Sequence, residues 1–297
     1  MANGIVVLYK EEGITSQTAV KRVQKLFGAA KAGHTGTLDP MATGVLPILL
    51  GRAVKASEYM LSSDKHYRAV LRLGITTDTE DITGEILTKT DIIPDEYKVK
   101  AAALAMLGSS MQTPPMYSAL KIGGKKLCDL ARKGVSIERE AREIFIHSIV
   151  CEKIDRERYS LDVHCSKGTY IRTLCSDIGK ALGCGGVMEA LERTTASVFT
   201  VSDAVTLGQL EALSDEERLS YIVPTERIFD SLTLVRLDPF FARLAHCGVE
   251  IYLKKIGKEL ALGERVRLSD KNGFFALGEV REFESGLAIK PIKQFDV

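Results

Sequence analysis

Asp39 in GHTGTLDPMATGVL is the residue of this chain whose surroundings most clearly suit chemistry. Its loop is built of small and conformationally permissive residues and runs directly into the apolar stretch VLPILL. Gly33, Gly36 and Gly44 open backbone turns closed to other residues, and Pro40 fixes the backbone just after the aspartate. Such a loop can hold a carboxylate out toward a bulky ligand. It can equally fold Asp39 into an Asx-turn against a nearby backbone amide, and spacing alone leaves both open. Familiar catalytic apparatus is otherwise missing: there is no GxxxxGK[ST] phosphate loop, no HExxH and no GxSxG. GCGGVM is Gly-rich but lacks the strand-to-helix context of a nucleotide-cofactor loop. His164 and Cys165 are adjacent, so on a strand they point to opposite faces and make no nucleophile pair. The six cysteines contain no CxxC pair, which excludes a zinc ribbon or a thioredoxin motif and predicts reduced, mostly buried thiols.

The elements that must position Asp39 are legible from hydrophobic periodicity. SQTAVKRVQKLFG opens on a Ser suited to an N-cap, places Val20, Val23 and Phe27 at helical spacing and stops at Gly28. Tyr67, Ala69, Leu71 and Leu73 alternate with Arg68, Val70 and Arg72, the period of a strand with one buried face. Asp95 before EYKVKAAALAMLG predicts a capped helix ending at Gly108, KKLCDLARKG a shorter one ending at Gly134, and QTPPMYSALKIGGKK between them a loop. REIFIHSIVCEKID and ERYSLDVHC read as an antiparallel pair. TYIRTLCSDIGKALG reads as a helix whose stripe is Ile171, Leu174, Ile178 and Leu182, leaving Arg172 beside that stripe and free to point elsewhere. Interspersed strands, hairpins and helices predict an α+β fold, a mixed and largely antiparallel sheet with helices packed on it. From about residue 232 short alternating segments around Gly and Asn turns predict a small β-rich domain.

A length of 297 residues exceeds the usual single domain of about 100 to 200, so the expectation is a large domain at 1–231 and a small one at 232–297. Hydrophobic residues at 45% and charged residues at 27% exclude disorder and fibrous repeats. No apolar run reaches the roughly 20 residues of a membrane span, and no basic, then apolar leader opens the chain, so a soluble, cytoplasmic protein is expected. The net charge of +1 hides blocks of opposite sign. Residues 121–175 hold 12 Lys/Arg against 8 Asp/Glu, and residues 203–230 hold 2 against 7, which fits a basic face with an acidic one elsewhere and equally a plain solvated charged surface.

GHTGTLDPMATGVLPILLG closely resembles the catalytic-aspartate motif of the TruB-type tRNA pseudouridine synthases. KHYRAVLRLGITTDTEDITGE, QTPPMYSALKIGG, SKGTYIRTLCSDIGKALG and the end of LERTTASVF match further motifs of that family in order, over roughly residues 3–200. Two positions depart from it: KEEGITS has Glu11 or Glu12 where Pro is usual, and GKKLCDLARKG has Cys128 where an aromatic is common. The resemblance implies the pseudouridine synthase fold and isomerisation of the TΨC-loop uridine of tRNA by base flipping. It implies a monomer with no metal, cofactor or obligate protein partner. GERVRLSDKNGFFALGEVRE in the tail resembles, less closely, the small β-barrel RNA-binding module called PUA.

By the same resemblance Asp39 is the nucleophile and Arg172 its cationic partner. Tyr67 stacks on the flipped base and assists proton removal from carbon-5, Tyr170 and Leu191 line the base pocket, and His34 fills the space the base leaves. Each role has a plainer counterpart, a core tyrosine or leucine, a surface arginine or an unremarkable loop histidine. The same pocket could also belong to an RNA-folding protein without chemistry, or to a guide-RNA-directed synthase with partner proteins. The intact set of Asp39, Tyr67 and Arg172 favours the enzyme, and the short chain without basic tails disfavours the guide-directed form.

Overall fold

A ten-stranded mixed sheet organises most of the chain in the computed structural model, which describes residues 2–118, 120–135 and 137–295. Ala119, inside the loop predicted at 112–126, lies outside them, as do Ser136 and the last two residues of the predicted tail domain. Across the sheet the order is Val205–Thr206, Gly4–Lys10, Thr43–Leu50, Gly186–Ala196, Lys65–Leu73, Arg158–Cys165, Arg142–Lys153 and Gly108–Gln112. Ala32–His34 adds to 43–50, and Phe199–Thr200 adds to 186–196. Pairing is antiparallel except between 4–10 and 205–206 and between 186–196 and 43–50. The predicted mixed, largely antiparallel α+β sheet is therefore present.

Side-chain period explains which face each strand buries. Ala69, Leu71 and Leu73 are buried, while Val70 and Arg72 between them are half-buried and Arg68 just before them is exposed. That inner face packs against the helices Ser16–Leu26, Glu96–Leu104 and Ile171–Ala181 through Val20, Val23, Val99, Ala103, Leu174 and Ile178. Strand 43–50 instead reads as a continuous apolar run because both its faces are covered. Leu46 and Ile48 join the helix-side core, whereas Val45 and Leu49 join a second core with Ile5, Val7, Phe229, Leu277 and Phe295.

Local departures from the sequence reading have local causes. The first helix is capped by Thr15, whose hydroxyl accepts from the Thr18 amide, and not by Ser16. Ser16 is used elsewhere: its hydroxyl accepts from the Leu38 amide and donates to the Leu38 carbonyl, pinning the Asp39 loop to the helix start. Gly108–Gln112, read as the end of a helix and the start of a loop, is an edge strand against 142–153. Of the three glycines read as turn-formers, Gly36 and Gly44 have positive φ, while Gly33 lies within strand 32–34 without it.

The tail carries a five-stranded sheet in the order Thr233–Arg236, Arg265–Asp270, Gly273–Phe283, Gly286–Gln294 and Ile251–Tyr252. It curls as a half-barrel, consistent with a PUA-like domain. The helix Pro239–His246 covers its own core of Val235, Val266, Leu268, Phe275 and Ile289. Among the described residues no helix is long and apolar enough to cross a membrane. All six cysteines are free; Cys151, Cys165, Cys175 and Cys184 are buried, and Cys247 is exposed.

Candidate active site

The Asp39 loop spans the gap between strands 32–34 and 43–50 and is held from beneath. The Lys10 side chain, fully buried, donates to the carbonyls of Pro40 at 3.1 Å, Ala42 at 2.5 Å and Glu11 at 3.0 Å. Burial lowers its pKa to about 8, against the pull of Asp39 and Glu12. The Gly13 amide adds a bond to the Pro40 carbonyl at 2.9 Å. At the loop's end Gly44 has φ 105°, and a Cβ there would lie 2.3 Å from the Arg193 carbonyl oxygen, a contact only glycine avoids.

Within this frame Asp39 forms no Asx-turn. Among the described residues its carboxylate is engaged by Arg172: Nε lies 3.1 Å from Oδ2, and Nη2 donates to Oδ1 at 3.4 Å. Arg172 occupies the first turn of helix 171–181 and, at 5% exposure, spends its other donors inward. Nη2 reaches the Tyr117 carbonyl at 2.7 Å, Nη1 reaches the Thr79 carbonyl at 3.2 Å, and Nη1 lies 3.6 Å from Asp81 Oδ2. Asp81 is itself fixed by the hydroxyls of Thr79 and Thr83 and by the Thr83 amide. Burial raises the Asp39 pKa above the usual carboxylate value, with Asp81 adding to that and Arg172 and Lys10 opposing it.

Two cavities meet at this pair. The first, about 330 Å³, is lined by Asp39, Tyr67, Tyr170, Arg172, Leu191 and Arg193. The second, about 510 Å³, is lined by His34, Asp39, Asp81, Tyr117, Cys128 and Arg172. Five of the six residues singled out in the sequence thus share one cavity, and His34 stands in the adjoining one. Tyr67 and Leu191 come together by register, because Tyr67 pairs with Arg193 and Ala69 with Leu191 across the antiparallel strands 65–73 and 186–196. Tyr170 is the helix N-cap residue; its backbone amide donates to the Gln112 side chain, which donates back to its carbonyl. Burial pushes the Tyr67 phenol up in pKa, with the positive charge of the Arg193 guanidinium opposing it. His34 accepts at Nδ1 from the Gly36 amide at 3.3 Å, and burial with Arg193 nearby lowers its pKa, which favours a neutral ring.

Arg193 and Asp81 are the site residues that the sequence reading passed over. Arg193 is 1% exposed, and its guanidinium donates to the carbonyls of Val45 at 2.8 Å and Gly36 at 3.1 Å, bracketing the Asp39 loop. Its place in LERTTASVF, a segment quoted only for its resemblance and for Leu191, was the available signal. Asp81 is one of several acidic residues in TDTEDITGE, where type alone singles out none. Thr35, 1% exposed, also lines the first cavity, and among the described residues its buried hydroxyl has no hydrogen-bond partner.

The fold is that of the pseudouridine synthases. A chain in the crystal structure of a Cbf5-Nop10-Gar1 complex superposes with a TM-score of 0.70 at 25% identity, covering 98% of this chain and 84% of its own. Residues 24–171 match the family described as TruB family pseudouridylate synthase (N terminal domain), and residues 172–230 match the tRNA pseudouridylate synthase B C-terminal domain. The Methylobacillus flagellatus protein named tRNA pseudouridine synthase B is 43% identical over 278 residues, 93% of this chain and 91% of that one. Its namesake in Francisella tularensis subsp. novicida is 42% identical over 298 residues, 99% and 95% of the two chains. The chain belongs to the TruB family of pseudouridine synthases. It is accordingly an isomerase that remakes a uridine N-glycoside as the C-glycoside.

Proposed function

We propose that the chain isomerises the uridine of the TΨC loop of tRNA, with Asp39 as nucleophile. Uridine-to-pseudouridine conversion in tRNA is the activity its family carries. The loop and the residue roles are our reading, and the observation that carries it is the Asp39–Arg172 pair at the wall common to two cavities. A uridine stacked in a folded loop must be extruded, and the first cavity offers it the Tyr67 ring, Tyr170 and Leu191. His34 lines the second cavity, and its part in this reading is to stack in the emptied position.

The reaction breaks the bond from the anomeric carbon to ring nitrogen-1 and forms one to ring carbon-5, whose proton must leave while nitrogen-1 gains one. A carboxylate adduct divides this into easier steps. Arg172 favours the ionised form of Asp39 and aims it, through a two-point grip that a point charge cannot reproduce. Tyr67 both supports the base and moves the carbon-5 proton, with the Arg193 charge acting on its phenol. The isomerisation requires no metal or cofactor. We further propose that residues 232–297 form a second unit, packed on the first through Leu277 and Phe295, that grips tRNA, and that the protein works in the cytoplasm as a monomer without protein partners. The test is to incubate the purified chain alone with unmodified tRNA and map pseudouridine: one modified position in the TΨC loop is expected, and modification elsewhere or none overturns the assignment.

A further inference from the structure

Three of the five histidines meet on the solvent face of the sheet, the face opposite Tyr67. His66 and His164 pair directly across strands 65–73 and 158–165, and their rings stack at 3.9 Å and 14°. His147 joins them from the next strand because a bulge between Ile146 and Ser148 inserts it as an extra residue; its ring lies 4.5 Å from that of His164. Bulges re-aim side chains in this way. Asp64, just before strand 65–73, closes the group: its Oδ2 lies 3.1 Å from His147 Nε2 and 3.8 Å from His164 Nε2.

We propose that Asp64, His147 and His164 bind one divalent transition-metal ion, with Zn²⁺ the best match. Two imidazoles and a carboxylate form a donor set suited to such ions. All three ligand atoms lie within 4.8 Å of one another. Ligands about 2.0 to 2.1 Å from a tetrahedral zinc stand roughly 3.3 Å apart, so the observed separations of 3.1 and 3.8 Å bracket the bound geometry and need only small rotamer changes. The side chains keep 30% to 47% of their exposure, which gives the ion an entry path and leaves the fourth position to water. A bound ion would tie three neighbouring strands together, including the one that bears Tyr67, without entering the cavities.

The experiment titrates the metal-free full chain with CoCl₂, read by visible d–d absorption, and with ZnCl₂ in competition. One Co²⁺ per chain with tetrahedral absorption, displaced by Zn²⁺, is expected. Asp64→Asn and His147→Ala should each weaken binding at least tenfold, whereas His66→Ala, which removes only the stacking ring, should retain it. Thermal unfolding of each variant without metal verifies that it is folded. No saturable binding, or binding unchanged in His147→Ala and so owed to other groups such as the exposed Cys247 thiol, overturns the proposal.

Discussion

Replacing Arg172 by lysine keeps the charge but removes the fork. The guanidinium makes two contacts to Asp39, at 3.1 and 3.4 Å, and two to the carbonyls of Tyr117 and Thr79, at 2.7 and 3.2 Å, while lying 3.6 Å from Asp81. A single ammonium has three donors radiating from one point and cannot span these acceptors, so at least two contacts are lost, one of them to the carboxylate. Hydrogen bonds to charged groups contribute about 1.5 to 3 kcal/mol each. Losing two such contacts costs about 3 kcal/mol, and if that loss falls on the orientation of the nucleophile it slows the bound reaction by roughly a hundredfold or more. Arg172 is only 5% exposed and cannot reach a phosphate, so tRNA affinity should change by less than about threefold. Single-turnover pseudouridine formation at saturating enzyme measures the first quantity, and filter binding of the same tRNA measures the second. A loss confined to affinity, with the bound rate intact, would refute the pairing and make Arg172 an ordinary phosphate contact.

Tyr67→Phe should bind tRNA normally yet fall by about a hundredfold or more in single-turnover rate, since the phenol moves a proton, and Tyr67→Leu should lose a further 1 to 3 kcal/mol or so of base stacking; a Phe variant at full speed removes the proton-transfer role. The rate of the bound complex should fall as pH drops through the Asp39 pKa, because only the ionised carboxylate attacks. Burial outweighs Arg172 there, so this acid limb should lie above the ordinary aspartate value, and a limb at or below that value contradicts the site electrostatics. Gly44→Ala should cost about 2 to 4 kcal/mol in chemical denaturation, because φ of 105° and a backbone oxygen 2.3 Å from the new Cβ leave nothing flexible to yield.

Regular periodicity made the positioning elements legible. Strand 65–73, the pair 142–153 with 158–165, and helix 171–181 stand where alternation and helical spacing place them. The central strand 186–196 escaped because two bulges, after Met188 and after Arg193, break its alternation, and because Glu189, Glu192 and Arg193 make it read as polar. Arg193 escaped with it, since its burial follows from lying opposite both Tyr67 and Gly44 across two different neighbours. Lys10 and Asp81 were hidden for a related reason: each is buried by satisfying acceptors or donors far away in the chain or within a tight turn, which no local pattern announces. The grip of Ser16 on Leu38 likewise depends on a long-range approach. Asp39 itself was visible as a carboxylate in a permissive loop, but its partner became specific only through the resemblance and then through the geometry.

The most direct test of the account is Asp39→Asn assayed for both binding and chemistry on the same unmodified tRNA. The amide preserves size and hydrogen bonding but cannot act as the nucleophile, so tRNA affinity should persist while no pseudouridine forms even at saturating enzyme and long times. Turnover near the wild-type rate would contradict the assignment of Asp39 as the nucleophile.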